Sequence, residues 1–371
     1  MKNILVLLSI LVAGCSPNQE NSNTSPSFNF YHGMDLSFLP ESESIGLVLK
    51  DNNGEDINDH YEYLSDRGVN LMRIRIWVNN PDGRYNVAFA KAQARIAQQK
   101  NMHFLLDFHY SETWADPGKQ FTPQVWEQQN VIELAESVKN YSFHVVNELV
   151  QQGTPPHIVQ IGNETNNGML WPVGKIYTSN GEDWSNYIKL TKAGITGVKM
   201  ASPDTQIMIH KADPEGANYF FNQLDQGQVQ YDIIGLSYYP WWSNLTIDQT
   251  EDSLQQLAMQ HDQKIMLVET AYPFSLGWVD DLNNIVGLPE QVAPMYPATP
   301  NGQRAFLWRM RDIMKNLPDE KGLGFCYWAP DWVAFENINQ AQIPGSNWEN
   351  VTLFDFNLRP TPALEVYGVK D

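Results

Sequence analysis

The sequence predicts a single (β/α)8 barrel, an α/β fold, on three observations. Short runs rich in β-branched and apolar residues alternate with amphipathic stretches about eight times along the chain. The length of 371 residues falls in the range of roughly 250 to 400 that such a barrel occupies. No Gly-rich phosphate loop follows the first run, which tells against an open dinucleotide-binding sheet.

Taken in order, the chain opens with Lys2, an apolar run from Ile4 to Ala13, then Gly14-Cys15. A basic start, a short apolar stretch and small residues make a secretory signal. The run is shorter than the roughly 20 residues needed to span a bilayer. Leu11-Val12-Ala13-Gly14-Cys15 resembles a bacterial lipobox, which implies cleavage before Cys15 and lipidation of its sulfur. Residues 1–14 are then the signal and 15–27 a polar, aperiodic tether, leaving 28–371 as the barrel. An exported protein held to a membrane through Cys15 is expected, facing the cell surface or the periplasm. With Cys326 the only other cysteine, no disulfide is expected in the mature domain.

The candidate strands are Phe30–Leu39, Val69–Val78, Met102–Ser111, His157–Thr165, Gln206–Lys211, Tyr231–Pro240, Lys264–Pro273 and Gly322–Pro330. Helical spacing marks Val87–Lys100, with Ala90, Ala94 and Ala97 on one face, and also Val131–Val150, Tyr187–Met200, Ser253–His261 and Gln303–Leu317. Two long connections, Phe274–Asn301 and Asp331–Pro360, follow the last two strands. Barrel enzymes build their active face from such loops, so both are expected to wall a cleft.

Composition narrows the partners. A formal net charge of −19 repels a phosphate backbone and disfavours nucleic acid. A neutral polymer meets no such conflict. Aromatic residues make up 12% of the chain, including 12 Trp, and flat apolar faces of that kind suit sugar rings as well as a large core.

The chemistry concentrates at two strand ends. His157-Ile158-Val159-Gln160-Ile161-Gly162-Asn163-Glu164 and Ile265-Met266-Leu267-Val268-Glu269-Thr270 are apolar runs that each finish on a carboxylate. A buried Glu is costly unless paired. An ion pair with Arg73 or Arg75 would account for either glutamate alone. Two together match glycoside hydrolysis, which needs one protonated and one ionised carboxyl about 5–5.5 Å apart when configuration is retained.

Longer stretches carry a resemblance. They include Gly33-Met34-Asp35-Leu36-Ser37, Arg73-Ile74-Arg75-Ile76-Trp77-Val78, and Asp107-Phe108-His109-Tyr110-Ser111-Glu112-Thr113-Trp114-Ala115-Asp116-Pro117. Ile161-Gly162-Asn163-Glu164, Leu170-Trp171-Pro172, Ser237-Tyr238-Tyr239-Pro240 and Val268-Glu269-Thr270 continue the series. Over roughly Tyr31 to Tyr367 the chain resembles glycoside hydrolase family 53, the endo-β-1,4-galactanases. That resemblance implies Glu164 as acid/base and Glu269 as nucleophile of a retaining enzyme that cuts β-1,4-galactan. It implies Asn163 at the 2-hydroxyl of the reacting sugar, Arg73 and Tyr239 around the nucleophile, and His109 and His210 lining the cleft. Trp114, Trp171, Trp241 and Trp328 are candidates to stack on galactose faces, Trp171 foremost and the Tyr239-Pro240-Trp241-Trp242 run next. Asp35 and Asp116 are candidates for sugar hydroxyls or for capping their loops.

Three positions depart from the family pattern: Ala329 stands where a Glu is common, Lys211-Ala212-Asp213 where an Asp sooner follows the His, and Tyr272 where a Trp is frequent. Some relatives bind calcium in the loop after the seventh strand. Asp280 and Asp281 lie there without a ligand pattern, and no cofactor is expected. Rival readings are a β-mannan or β-glucan hydrolase of the same clan, or a glycan-binding lipoprotein that has lost catalysis. Delivery of oligosaccharides to neighbouring import proteins fits a membrane-held enzyme.

Overall fold

The computed structural model describes residues 28–341 and 344–369; the signal, the tether and Cys15 lie outside the described residues. Eight parallel strands close into a barrel. They are β1 (Tyr31–Asp35), β2 (Leu71–Ile76), β3 (His103–Phe108), β4 (Ile158–Ile161), β5 (Gln206–Ala212), β6 (Ile233–Tyr238), β7 (Lys264–Thr270) and β8 (Gly322–Trp328). Each strand pairs with its sequence neighbours, and β1 pairs with β8 to close the ring.

The eight candidate strands are all present, most of them shorter than their apolar runs. Residues such as Trp77, Val78 and Tyr110 are buried although they lie past the strand ends, so apolar character continued into the loops. Among the described residues, five of the eight α-helices begin where a polar side chain caps them. Asn130 with Glu133 forms a capping box for α4 (Val131–Gln151), and Thr246 with Gln249 does so for α7 (Ile247–Gln260). The second box starts α7 six residues before Ser253, the expected beginning. The remaining long helices are α3 (Val87–Gln99), α5 (Ser185–Ala201) and α8 (Pro300–Lys315). Two short helices, α1 (Leu39–Ser44) and α2 (His60–Ser65), and α6 (Ala217–Gln226) were not expected from the sequence.

Alternation along the strands sorts the barrel interior into layers. Near the strand starts, Tyr31, Leu71, Leu105, Ile158, Met208, Ile233, Met266 and Cys326 form one apolar cluster. Two residues further along, the same faces carry Arg73, Asp107, Gln160 and His210, all buried. The floor is therefore dry and the mouth is polar. Between β6 and β7 the register slips after Leu236, which pairs with Leu267, so that Ser237 pairs with Glu269 rather than Val268. Val268 belongs to the apolar interior and its neighbour Glu269 still reaches the mouth, the re-aiming that a bulge provides.

At the floor, Phe28 sets its ring edge-on to His103, 4.8 Å between centroids. Tyr31 Oη meets His103 Nδ1 at 2.7 Å.

Candidate active site

A cleft of about 710 Å³ opens at the strand ends. Glu164 and Glu269 both line it. Glu164 is not a strand residue: β4 stops at Ile161, and the chain turns through Gly162 at φ 82° and Glu164 at φ 48°. A Cβ on Gly162 would meet Thr165 Cγ2 at 2.5 Å, so this turn requires glycine. Holding a glutamate in the left-handed region costs on the order of 1–3 kcal/mol, which is typical of functional turns.

Arg73 is fully buried and organises the site. Its guanidinium reaches Asp35 at 2.8 Å, Asp107 at 2.9 Å and Glu269 Oε1 at 2.8 Å. Nη2 also donates to Asn163 Oδ1 at 2.9 Å. Tyr239 Oη donates to the other oxygen of Glu269 at 2.9 Å. Glu269 thus has a cation on one oxygen and a hydroxyl on the other. Glu164 is half-buried, and Ser237 Oγ donates to its Oε1 at 2.6 Å.

The electrostatics separate the pair. Burial, reinforced by the charge of Glu269, pushes Glu164 up to about 8. Burial raises Glu269 too, but the Arg73 cation opposes it. Of the two, Glu164 keeps a proton to the higher pH. Asp107 is buried as well, yet Arg73 and His109 hold it below the usual carboxylate range.

The other expected residues fall into two groups. Asn163, Arg73, Asp35, His109, Trp114, Asp116, Tyr239 and Trp328 line the cleft. Asp35 is nonetheless 1% exposed and spends its oxygens on Arg73 and the Ser37 N–H. Asp116 accepts from the Gly118 N–H with one oxygen.

Trp171, Trp241 and His210 do not line the cleft. Trp171 donates its indole N–H to Asn167 O, and the Lys175 ammonium sits 4.4 Å over its ring, so the ring is held by its own loop. Trp241 packs partly buried against the core. His210 is fully buried behind Asn163 and Ser237.

Three more aromatics line the cleft: Trp242, read in the sequence only as part of the run that ends on it, and Trp332 and Trp348, which went unread. Trp242 is 60% exposed at the opening. Trp332 stacks on Phe38 at 4.2 Å, and Trp348 meets Trp328 edge-on at 4.7 Å. The last two come from the loop after β8.

That loop is laced to the loop after β7. Glu349 accepts from the Val279 N–H, Asp280 from the Ser346 N–H, and Asn350 donates to Ser275 and Val286 carbonyls. Ile285 and Asn347, one from each loop, line the cleft. Among the described residues no group of three or more His, Cys, Asp or Glu is placed to hold a metal ion.

The departures also find places. Ala329 is buried at φ 50°. Tyr272 stacks on Phe306 at 4.3 Å outside the cleft. Lys211 Nζ donates to the carbonyls of Ala212, Asp213 and Glu215 and so folds the loop that carries Asp213 to the cleft wall.

Known proteins match this chain along nearly its whole barrel. The family model described as Glycosyl hydrolase family 53 matches residues 31–367. An uncharacterized protein of Niallia circulans is 38% identical over 334 residues, 88% of this chain and 90% of that one. An arabinogalactan endo-beta-1,4-galactanase of Cellvibrio japonicus is 35% identical over 361 residues, covering 95% and 93% of the two chains. Among solved structures, the family 53 catalytic domain from Ignisphaera aggregans superposes with a TM-score of 0.85 at 33% identity, over 92% of this chain and 97% of that one. With this fold, this cleft and these relatives, the chain belongs to glycosyl hydrolase family 53 and is a glycoside hydrolase.

Proposed function

We propose that the protein is a retaining endo-β-1,4-galactanase that cuts internal bonds of galactan by double displacement. The carrying observation is the asymmetry of the two carboxyls. Glu269 is held by Arg73 and Tyr239 in a form ready to attack, while Glu164 keeps its proton to about pH 8. The substrate reading is supported by the name of the Cellvibrio japonicus relative, arabinogalactan endo-beta-1,4-galactanase. An open cleft with several Trp on its walls suits a neutral chain of sugars.

In the first half-reaction Glu269 attacks the anomeric carbon, and the bond to the leaving sugar breaks as Glu164 gives its proton to the departing oxygen. Once Glu269 is esterified its charge is gone, and Glu164, now ionised, takes a proton from water. That water attacks the same carbon, the ester bond breaks, and configuration is retained. Asn163 commits one amide hydrogen to Ala115 O and has a second for the 2-hydroxyl. The steps use two carboxyls and water and require no cofactor. We further propose anchoring through lipidated Cys15, with the oligosaccharide products released near import proteins.

Proton NMR of galactan digestion by the barrel from residue 28 tests the chemistry. β-Anomers appearing first, in chains of intermediate length, support the reading. α-Anomers first would overturn the mechanism. Activity on mannan or glucan alone would overturn the substrate.

A further inference from the structure

His210 is a buried titratable group with no role in the mechanism above, and it sits in an unbroken line of hydrogen bonds. Each donor along that line can be assigned. Gln160 Oε1 accepts from Arg73 Nε and Nη2, both at 3.3 Å, so its amide nitrogen faces the other way and donates to Asp107 Oδ1 at 2.6 Å. Its second hydrogen faces Gly162 O, Asn163 Oδ1 and His210 Nδ1, all at 3.1 Å. The backbone N–H of Glu164 points at the same Nδ1 from 3.3 Å.

Burial, and then the Arg73 cation, keep His210 neutral, so it carries one ring proton. The Glu164 backbone N–H aimed at Nδ1 leaves that proton on Nε2. Asn163 Oδ1, 2.9 Å from Nδ1, has donors for both of its lone pairs in Arg73 Nη2 at 2.9 Å and Gln160 Nε2 at 3.1 Å. His210 Nε2 then donates to Ser237 Oγ at 2.9 Å. The single hydroxyl hydrogen of Ser237 is left for Glu164 Oε1 at 2.6 Å.

We propose that Ser237 and His210 are positioning residues for Glu164: they occupy Oε1 with a donated hydrogen bond and so confine the transferable proton to Oε2, the oxygen left for the sugar. This deepens the reading of Glu164 as the acid and rests on it. Arg73 helps set the direction of the line by donating to Asn163 Oδ1 and to Gln160 Oε1, so the same Arg73 that holds the nucleophile also bears on the geometry of the acid. The donated bond favours ionised Glu164, which the second half-reaction needs. Other charged or titratable groups around Glu164 are Glu269 on β7, Asp116 after β3, Arg73 on β2, Tyr239 after β6 and Lys211 beside His210 on β5. None of these is altered by changing Ser237.

The test compares Ser237→Ala and Ser237→Thr with the parent on two substrates. Galactan has a sugar leaving group that needs the proton, whereas a dinitrophenyl β-galactobioside does not. Expected for Ser237→Ala is a fall of about 10- to 100-fold in kcat/KM on galactan, little change on the aryl substrate, and an alkaline limb moved to higher pH. Ser237→Thr keeps the hydroxyl and restores most of the loss. An equal fall on both substrates would make Ser237 merely structural and overturn the proposal. An alkaline limb moved to lower pH would mean that Ser237 accepts from Glu164, and would overturn the assigned direction. Glu164→Gln run alongside keeps the two readings apart. If that variant does not lose galactan activity in preference to aryl activity, the assignment of Glu164 as acid fails first.

Discussion

Tyr239→Phe isolates one interaction of the nucleophile. The ring stays, and with it the packing against Trp241 at 5.3 Å and Trp348 at 5.8 Å. Only the hydroxyl that donates to Glu269 Oε2 at 2.9 Å is lost. Arg73 still holds Oε1, so the carboxylate keeps its cation and the fold keeps its central ion cluster. Glu269 is 6% exposed, and water replaces the hydroxyl poorly.

A hydrogen bond to a charged group contributes about 1.5–3 kcal/mol. If the attacking carboxylate depends on it, kcat/KM falls by about 10- to 150-fold. The sign of the pH effect follows from the same bond. Tyr239 favours ionised Glu269, so its removal raises a carboxyl that burial has already raised. The acid limb of kcat/KM therefore moves upward by about 1 to 2 on the pH scale. The assay is initial-rate release of reducing ends from galactan between pH 3 and 9. An acid limb unchanged from the parent, whatever the drop in rate, would refute the argument that this hydroxyl governs ionisation of the nucleophile.

Other expectations are as direct. Glu164→Ala loses galactan cleavage by several orders of magnitude, while azide restores turnover of an activated aryl galactoside and yields a β-configured azide; an α-configured azide would exchange the two roles. Trp242→Ala raises KM for long galactan while leaving melting temperature nearly unchanged, because the ring is 60% exposed; a surface change away from special features costs within about 0.5 kcal/mol, and an unaltered KM would remove Trp242 from the binding surface. Burial lifts Glu349 to about 7, so between about pH 4.3 and 7 the folded chain holds a proton that the unfolded chain has lost. This group therefore costs stability as pH rises through that window. Glu349→Gln removes the cost and raises the melting temperature at pH 8 relative to the parent; identical melting curves at pH 5 and 8 in both proteins would count against it.

The layout of the barrel and its two carboxylates was legible because it follows local rules. Alternation along β2 puts Leu71 and Arg73 on one face, and an apolar run that ends on Glu269 announces a costly charge at a strand mouth. What sequence could not give was the direction of side chains in loops. Trp171 follows the acid/base by seven residues and reads as a platform, yet its ring is turned to Asn167 and Lys175. Trp241 and Trp242 are adjacent and chemically equal, and only the turn after β6 decides that the second faces the cleft. Trp348 reaches the site across the chain because Glu349 and Asn350 lace its loop to the preceding one. His210 was expected at the surface of the cleft. It lies behind it because the inward face of β5 is covered by the Asn163 turn, whose glycine and left-handed glutamate have no local signature beyond the Gly162-Asn163-Glu164 string.

The contact of Phe28 with His103 and Tyr31 puts the beginning of the domain at the dry pole of the barrel, with the groove at the other. A load attached ahead of Phe28 (an acyl chain, a bead, a second module) leaves the groove turned toward the bulk solution. A long polymer can then approach broadside without threading past the point of attachment. The same geometry makes the first residues the natural handle for immobilising the enzyme on a support, and it lets the distance from the support be set by linker length with no change in how the groove is presented.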